Sequence, residues 1–320
     1  MNTRKKWLVA AIVLLIVGVV ICGAAFAASG FDMKKMSTAS YETRTEEITE
    51  SFKNISIKSN VDDITLAPSE DGKCTVVLLE KDNLKREVTV EDDTLMITSN
   101  DNSGWFDFLS FSFEGPSVTV YLPADEYGTL TIDASTGVVR LPEEMTFDAI
   151  KTVISSGDVY CSSSAKNGME LEATTGKIDV AGVSAGQMSL SVTTGDLKVS
   201  SATCEGTVDA HVTTGGAELE DVVSKDLYST GSTGDLVMKN VTATGEFRLE
   251  RSTGDIRMEN CDAGSISAKT STGDVVGSLQ TEKVFLTDTG TGDVDVPQTT
   301  TGGTCRINTG TGDIQIKIVE

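Results

Sequence analysis

Ten glycines recur at intervals of 19 or 20 residues through the second half of the chain, most of them inside the strings S-T-G-D, T-T-G-D or G-T-G-D. A fixed period of this length indicates a repeat architecture, in which each unit buries its apolar face only against its neighbours. The ten repeat glycines are Gly137, Gly157, Gly176, Gly195, Gly215, Gly234, Gly254, Gly273, Gly292 and Gly312.

Apolar and polar residues alternate on both sides of each repeat glycine. The positions seven before it and two after it are apolar in every unit, and the position four after it is apolar in all units but that of Gly273. Period-two alternation is typical of half-buried strands, and a glycine between two strands predicts a tight turn with positive φ. The sequence therefore predicts an all-β fold, a parallel β-solenoid (β-helix) of 19–20-residue coils over residues 129–320. An antiparallel meander with T-G hairpin turns is the alternative, but it gives no reason for so strict a period.

The N-terminus predicts a membrane segment. Residues 7–28 carry no charge, are long enough to cross a bilayer as a helix, and follow three basic residues at positions 4–6. We therefore expect residues 1–28 to form a cytoplasmic tip and a single transmembrane helix, with the bulk of the chain extracellular at the cell membrane. A cleaved signal peptide ending near Ala27 is the alternative, since Ala25-Phe26-Ala27 resembles a processing site.

The segments between the membrane helix and the repeats lack the glycine period. Residues 29–50 are polar and predict a stalk, and residues 51–128 contain short strand patterns that predict a β capping region at one end of the solenoid. No cap sequence follows the last strand, which begins at Ile314. This C-terminal coil is therefore expected to form the open end of the stack, available to a partner or to a second copy.

Charge and cysteine content exclude several classes of function. Residues 29–320 hold 23 basic and 48 acidic residues, a net charge of −25, which argues against binding to nucleic acid. The same residues contain five cysteines, an odd number without any C-x-x-C pair, so neither a disulfide framework nor a zinc site is indicated. We expect these cysteines to be small buried apolar residues.

Two motifs carry a family resemblance: S-V-T-V-Y-L-P at 117–123, then L-T-I-D-A-S-T-G-V-V-R-L at 130–141 followed by the iterated S-T-G-D units. Together they resemble the bacterial putative-adhesin family, a domain of unknown function with β-strand repeats found in LiaG-like membrane-anchored proteins. The resemblance covers roughly residues 45–320. It implies a place in the cell envelope, and it brings no catalytic residues with it.

The residue after the repeat glycine is Asp in seven of the ten units. A column of carboxylates offers the hard oxygen ligands that Ca²⁺ prefers, and the candidates for such a site are Asp235, Asp255, Asp274 and Asp293. The favoured interpretation is structural, with each Asp accepting hydrogen bonds from the backbone of its own turn. No cofactor is expected.

One segment departs from the repeat pattern and is rich in aromatic residues. The stretch 103–116 contains five aromatic side chains within nine residues, which predict either a plug for the end of the core or an exposed patch for a partner or the membrane surface. These partner-contact candidates are Trp105, Phe106, Phe108, Phe111 and Phe113.

Taken together, these features favour a non-enzymatic, membrane-anchored extracellular β-solenoid that serves as a protein-contact scaffold in the cell envelope, for adhesion or envelope stress. Its partner would be an unknown envelope protein, or a second copy at the C-terminal coil edge. The alternative is a carbohydrate-active β-helix enzyme or a glycan-binding module, which would need converging acid–base groups or a row of exposed aromatic residues.

Overall fold

The structure is a computed structural model that describes residues 41–81, 85–99 and 115–319, together with five isolated residues of the N-terminal segment: Leu14, Leu15, Val17, Gly18 and Ala27. The predicted membrane segment, the first part of the predicted stalk and all five aromatic candidates of the segment 103–116 therefore lie largely or wholly outside the described residues. Within the described part of the chain, no helix combines the length and the apolar character needed to span a bilayer.

The described residues form 25 β-strands. The N-terminal strands are β1 (Tyr41–Ile48), β2 (Asn54–Ser59), β3 (Asp63–Pro68), β4 (Cys74–Lys81), β5 (Arg86–Glu91), β6 (Thr94–Ser99) and β7 (Ser117–Leu122). The repeats comprise β8 (Tyr127–Leu141), β9 (Thr146–Cys161), β10 (Ser164–Thr175), β11 (Ile178–Ala181), β12 (Ser184–Ala185), β13 (Met188–Thr194), β14 (Leu197–Cys204), β15 (Thr207–Thr214), β16 (Ala217–Ser224), β17 (Asp226–Thr233), β18 (Leu236–Lys239), β19 (Thr242–Thr253) and β20 (Ile256–Thr272). The last strands are β21 (Val275–Leu279), β22 (Lys283–Thr291), β23 (Val294–Asp295), β24 (Gly303–Thr311) and β25 (Ile314–Ile318).

The fold is a parallel β-solenoid, as the period predicts. The strand segment before each repeat glycine pairs in parallel with the equivalent segment of the next coil, and the segment after the glycine does the same on a second face. Residues in the same repeat position face each other, so Met169, Met188 and Val208 follow one another along the core. The parallel pairing rules out the antiparallel meander.

The alternation of side chains explains why the coils stack. The apolar columns seven before and two after the glycine point into one continuous core, and their members are almost fully buried in every coil except that of Gly292. One coil cannot bury these side chains alone, because both of its sheet faces need a neighbour above and below. Stacking therefore covers each interior coil on both sides and an outermost coil on one side only.

At the N-terminal end, the coils do not follow the order of the chain. Strands β2 and β3 form a coil that lies directly beneath β8, and β6 and β7 form the next coil outward. Beyond them, β5 pairs antiparallel with β6, β4 pairs antiparallel with β7, and β1 pairs antiparallel with β4. The antiparallel strands end the parallel stack and close this end of the core with a different geometry.

At the other end, the order of the last two coils is also inverted. Strands β24 and β25 pair with β20 and β21 on one side and with β22 and β23 on the other. The coil of Gly312 therefore lies between those of Gly273 and Gly292. The prediction that the C-terminal coil beginning at Ile314 forms the open edge is wrong, because both of its strands have neighbours on both sides; β22 and β23 form the outermost coil instead.

The inverted order predicts which cysteine pairs can be crosslinked. Ser267 pairs with Arg306, and Arg306 pairs with Leu286, so Ser267 and Leu286 lie two strand spacings apart, or about 9.6 Å. We expect the double variant Ser267→Cys/Arg306→Cys to form a disulfide under mild oxidation, detected by a mobility shift on non-reducing gels. The matched pair Ser267→Cys/Leu286→Cys should stay reduced, because Cα atoms more than ~7 Å apart are not bridged. Efficient crosslinking of the second pair alone would instead indicate that the coils stack in the order of the sequence.

Candidate functional site

The tight turn at each repeat glycine is built on contact between the backbones of neighbouring coils. All ten repeat glycines have φ between 126° and 148°, a region that other residues rarely adopt. A Cβ at Gly254 would also overlap with the carbonyl oxygen of Gly234 in the coil below, and the same holds at each glycine along the column. Glycine is thus required twice, by its own conformation and by the coil beneath it.

The Asp that follows the glycine joins one coil to the next. The Oδ1 atom of Asp255 accepts a hydrogen bond from the backbone N–H of Asp274 at 2.8 Å, and Asp274 accepts one from Asp313 at 2.8 Å. The same bond links Asp313 to the N–H of Asp293. The structural role agrees with the favoured interpretation, but the expectation that each Asp serves its own turn is wrong, because the bound amide belongs to the following coil.

The exceptions in the column follow the same rule. Where the preceding coil carries Lys177 or Gly216 instead of Asp, the next amide in the column, that of Asp196 or Asp235, makes no such bond within the described residues. The identity of one residue therefore decides whether the junction above it has this additional hydrogen bond.

The four calcium candidates do not form the uninterrupted row that the sequence order implies. Asp235, Asp255 and Asp274 lie in consecutive coils, but Asp313 separates Asp274 from Asp293. Arg257 also binds the Oδ2 atoms of Asp235 and Asp255, at 2.8 Å and 2.5 Å. In the part of the chain that the structure describes, no group of three or more His, Cys, Asp or Glu side chains has the arrangement of a metal site.

Backbone hydrogen bonding also sets the acidity of the column. The N–H of Asp255 lowers the pKa of the Asp235 carboxyl below its usual value of 3.8, partial burial opposes that shift, and Arg257 adds to it. The charged form of Asp235 is therefore the form that stabilises the stack.

A second polar ladder lies at the opposite end of the strands that follow the glycine turn. Asp221, Asn240 and Asn260 adopt left-handed conformations, with φ of 52° to 54°. The Nδ2 atom of Asn240 donates to Asp221 Oδ1 at 2.9 Å, and that of Asn260 donates to Asn240 Oδ1 at 2.8 Å. This ladder was not predicted, although Asp or Asn recurs six residues after three successive repeat glycines. The recurrence is a usable signal, because these residues tolerate positive φ.

The outermost coil, formed by β22 and β23, exposes to solvent apolar side chains that are buried in the other coils. Val294 occupies a column whose other members are at most 2% exposed, yet Val294 itself is 45% exposed. Phe285 and Val296 are only partly buried for the same reason, since no coil lies beyond them. This surface, formed by residues 283–296 and called here the open end, is the one place where the described core meets solvent across a whole coil.

The opposite end contains a buried ion network that sequence analysis did not anticipate. Arg86 bonds to Asp62 through Nε at 3.0 Å and, through its backbone N–H, to Glu80 at 2.9 Å. Arg44 donates to the other oxygen of Glu80 at 2.8 Å. Asp62, Glu80 and Arg86 are almost fully buried, so the pairing offsets the cost of removing their charges from water. The segment 100–114, with the aromatic candidates, lies outside the described residues.

Among the described residues, the five cysteines and the histidine form no reactive centre. Cys74, Cys161, Cys204, Cys261 and Cys305 are all buried free thiols, which confirms their predicted place in the core. Burial raises the pKa of Cys161 and Cys305 to about 12, which keeps both thiols protonated and unreactive. His211 is exposed and contacts the hydroxyls of Thr230 and Thr213 at 2.8 Å and 3.1 Å.

The profile of the Toastrack DUF4097 family matches residues 52–215 and 205–320, and so covers almost the whole described stack. The chain belongs to this family. The match agrees with the resemblance to putative adhesins seen in the sequence, and it assigns no activity. No curated protein matches the chain.

Several solved structures resemble this Toastrack chain at low identity. A putative adhesin from Parabacteroides merdae is 11% identical, with a TM-score of 0.47 over 88% of this chain and 98% of its own. A putative adhesin from Bacteroides fragilis is 15% identical, with a TM-score of 0.40 over 88% and 97%. A protein named as a putative lipid binding protein, from Parabacteroides distasonis, is 14% identical, with a TM-score of 0.29 over 89% and 98%. These likenesses carry no functional assignment.

The glycine contact predicts a large cost for a side chain at one position and a small cost at another. Gly254→Val should lower the free energy of unfolding by more than about 1 kcal/mol, because a β-branched residue resists positive φ and its Cβ would overlap with the backbone of the Gly234 coil. Gly216→Ala is the control, since the nearest atom to its added Cβ is 3.6 Å away. Denaturant unfolding of both variants tests this, and equal losses would show that the turn tolerates side chains uniformly.

The Asp column predicts a pH-dependent contribution. The depressed pKa of Asp235 means that its stabilising effect is complete above the unfolded pKa of about 3.9 and disappears as the pH falls through the lower folded value. Asp235→Ala should therefore cost about 1 kcal/mol at pH 7 and less at pH 3, whereas Asp235→Asn keeps an acceptor oxygen and should cost less at pH 7. Thermal melts at both pH values measure this, and a cost for Asp235→Ala that grows in acid would contradict the assignment.

Proposed function

We propose that this Toastrack protein is a non-enzymatic, membrane-anchored extracellular scaffold that holds a protein-contact surface away from the cell membrane. The observation that carries the proposal is the contrast between the two ends of the stack. The end where the described chain begins, at Tyr41, is closed by antiparallel strands, and the other end presents an uncovered coil.

The length of the stack supports a role as a spacer. Fourteen strands follow one another along the second face, from β1 through β7, β3 and the repeats to β25 and β23. At ~4.8 Å per strand, the two ends are about 60 Å apart. With residues 7–28 in the membrane as a single-pass anchor, the open end would be the part of the body farthest from the residues that join the anchor.

The use of the repeat side chains supports a scaffold over an enzyme. Glycine and Asp of the turn motif contact the neighbouring coil, so the most regular polar groups of the chain stabilise the stack. A rigid body of this kind displays a surface without needing to change shape.

Topology and contact are tested on intact cells. Protease added outside should digest the region after residue 29 and spare the N-terminus, and a proximity-labelling enzyme fused after residue 320 should label extracellular envelope proteins that the same enzyme fused to residues 1–40 does not. Protection of the whole chain would overturn the outside placement. Identical labelling by the two fusions would overturn the spacer role.

A further inference from the structure

The open end is the one part of the described stack where the repeat pattern remains incomplete. In each interior coil, the backbone N–H of the repeat glycine donates to the next coil outward, as Gly273 does to Thr311 O and Gly312 does to Thr291 O. The residue two positions later does the same, as Ile314 does to Asp293 O. At the open end the corresponding groups are the N–H of Gly292 and of Val294, which have no acceptor among the described residues.

Within the described stack, the side chain of Asp293 also lacks the partner that its equivalents have in the next coil. Every other Asp that follows a repeat glycine in this half of the stack uses Oδ1 to bind an amide of the next coil outward. Asp293 is last in the column, so its carboxylate has no such amide within the described residues. The open end thus offers two outward N–H donors, a carboxylate acceptor and the apolar surface of Val294 and Phe285, which together match the edge of one more β-strand.

Charge identifies the kind of strand that fits. The outermost coil and the residue that precedes it expose four acidic side chains, those of Glu282, Asp288, Asp293 and Asp295. Its one basic residue, Lys283, is buried and bound to Asp262 through Nζ at 2.5 Å. A second copy of this chain would bring an equally acidic open end, and the whole chain carries a net charge of −22, so self-association is disfavoured.

We propose that the open end binds an extended, cationic segment of another envelope protein, which adds a strand beside β22 and β23. Backbone hydrogen bonds supply the pairing, alternate apolar side chains cover Val294 and Phe285, and basic side chains face the four carboxylates. This inference rests on the proposed scaffold function and names the surface and the partner chemistry through which it acts.

A designed peptide tests the site directly. The full chain in detergent micelles is titrated into the labelled nonapeptide Lys-Val-Lys-Thr-Lys-Val-Lys-Thr-Lys, followed by fluorescence anisotropy, with the peptide in which Glu replaces every Lys as the comparison. We expect saturable binding of the basic peptide and none of the acidic one. No binding of the basic peptide, or equal binding of both, overturns the proposal.

Two substitutions at one position separate the site from general attraction to an acidic protein. Val294→Lys should weaken binding of the basic peptide at least tenfold, because it places a cation at the pairing edge, whereas Val294→Glu should retain it. Val237→Lys is the control for added charge, since Val237 is 38% exposed on the outward face in the middle of the stack, and it should leave the affinity within twofold. Equal losses in Val294→Lys and Val237→Lys overturn the open end as the site.

The remaining outcomes are also decisive. All three variants should keep the wild-type melting temperature, because Val294 and Val237 are already exposed. For a variant that melts at a lower temperature, the same comparison is repeated with Thr in place of Lys. Loss of peptide binding that is explained by unfolding alone overturns the proposal. Sedimentation that shows a dimer broken by Val294→Lys, without peptide binding, assigns the open end to a second copy instead. Proximity labelling that is unchanged in Val294→Lys leaves the scaffold function standing and removes the open end from it.

Discussion

The stack depends on the close approach of two backbones at a position where no side chain can stand. Each repeat glycine approaches a backbone carbonyl of the coil below, which belongs to a repeat glycine in every case except Gly137, where it belongs to Asp62, and a single Cβ would overlap with that oxygen. The approach keeps the turns in register, and register brings the Asp carboxylate within 2.8–2.9 Å of the next amide. The apolar columns can then align without offset, because every coil turns at the same height.

Most of the fold could be predicted from the sequence, because the glycine period and the apolar–polar alternation are local patterns that recur in every repeat. Alternation gave the strands, and the glycine period gave the coils. The Asn ladder at Asn240 and Asn260 was accessible to the same reasoning, because a polar residue that tolerates positive φ recurs at one offset from the glycine. The direction of the Asp bond was not accessible, since an Asp beside a turn has two reachable amides and only the stack decides between them.

The order of the coils could not be predicted, for a physical reason. Coils that share the same columns are interchangeable as neighbours, so the segment 303–318 fits as well beneath the coil of Gly292 as above it. In the structure, residues 283–296 form the outermost coil, and residues 303–318 then form the coil between it and the coil of Gly273. The buried network of Asp62, Glu80 and Arg86 was hidden in the same way, because its members are brought together by strands that are distant in sequence.

The two inversions place the coils nearest the chain ends, residues 54–68 and 303–318, inside the stack rather than at its edges. Strands at an edge open most easily, because they break one ladder instead of two. At the open end, fraying would start at residues 283–296, which continue into described chain on both sides, whereas at the other end β1 is itself an edge strand that pairs with β4. Synthesis also delivers residues 283–296 before residues 303–318, so the outermost layer leaves the ribosome before the layer it rests on. Addition of coils at the tip in the order of synthesis therefore does not produce this arrangement, because residues 303–318 lie between two coils that are made before them.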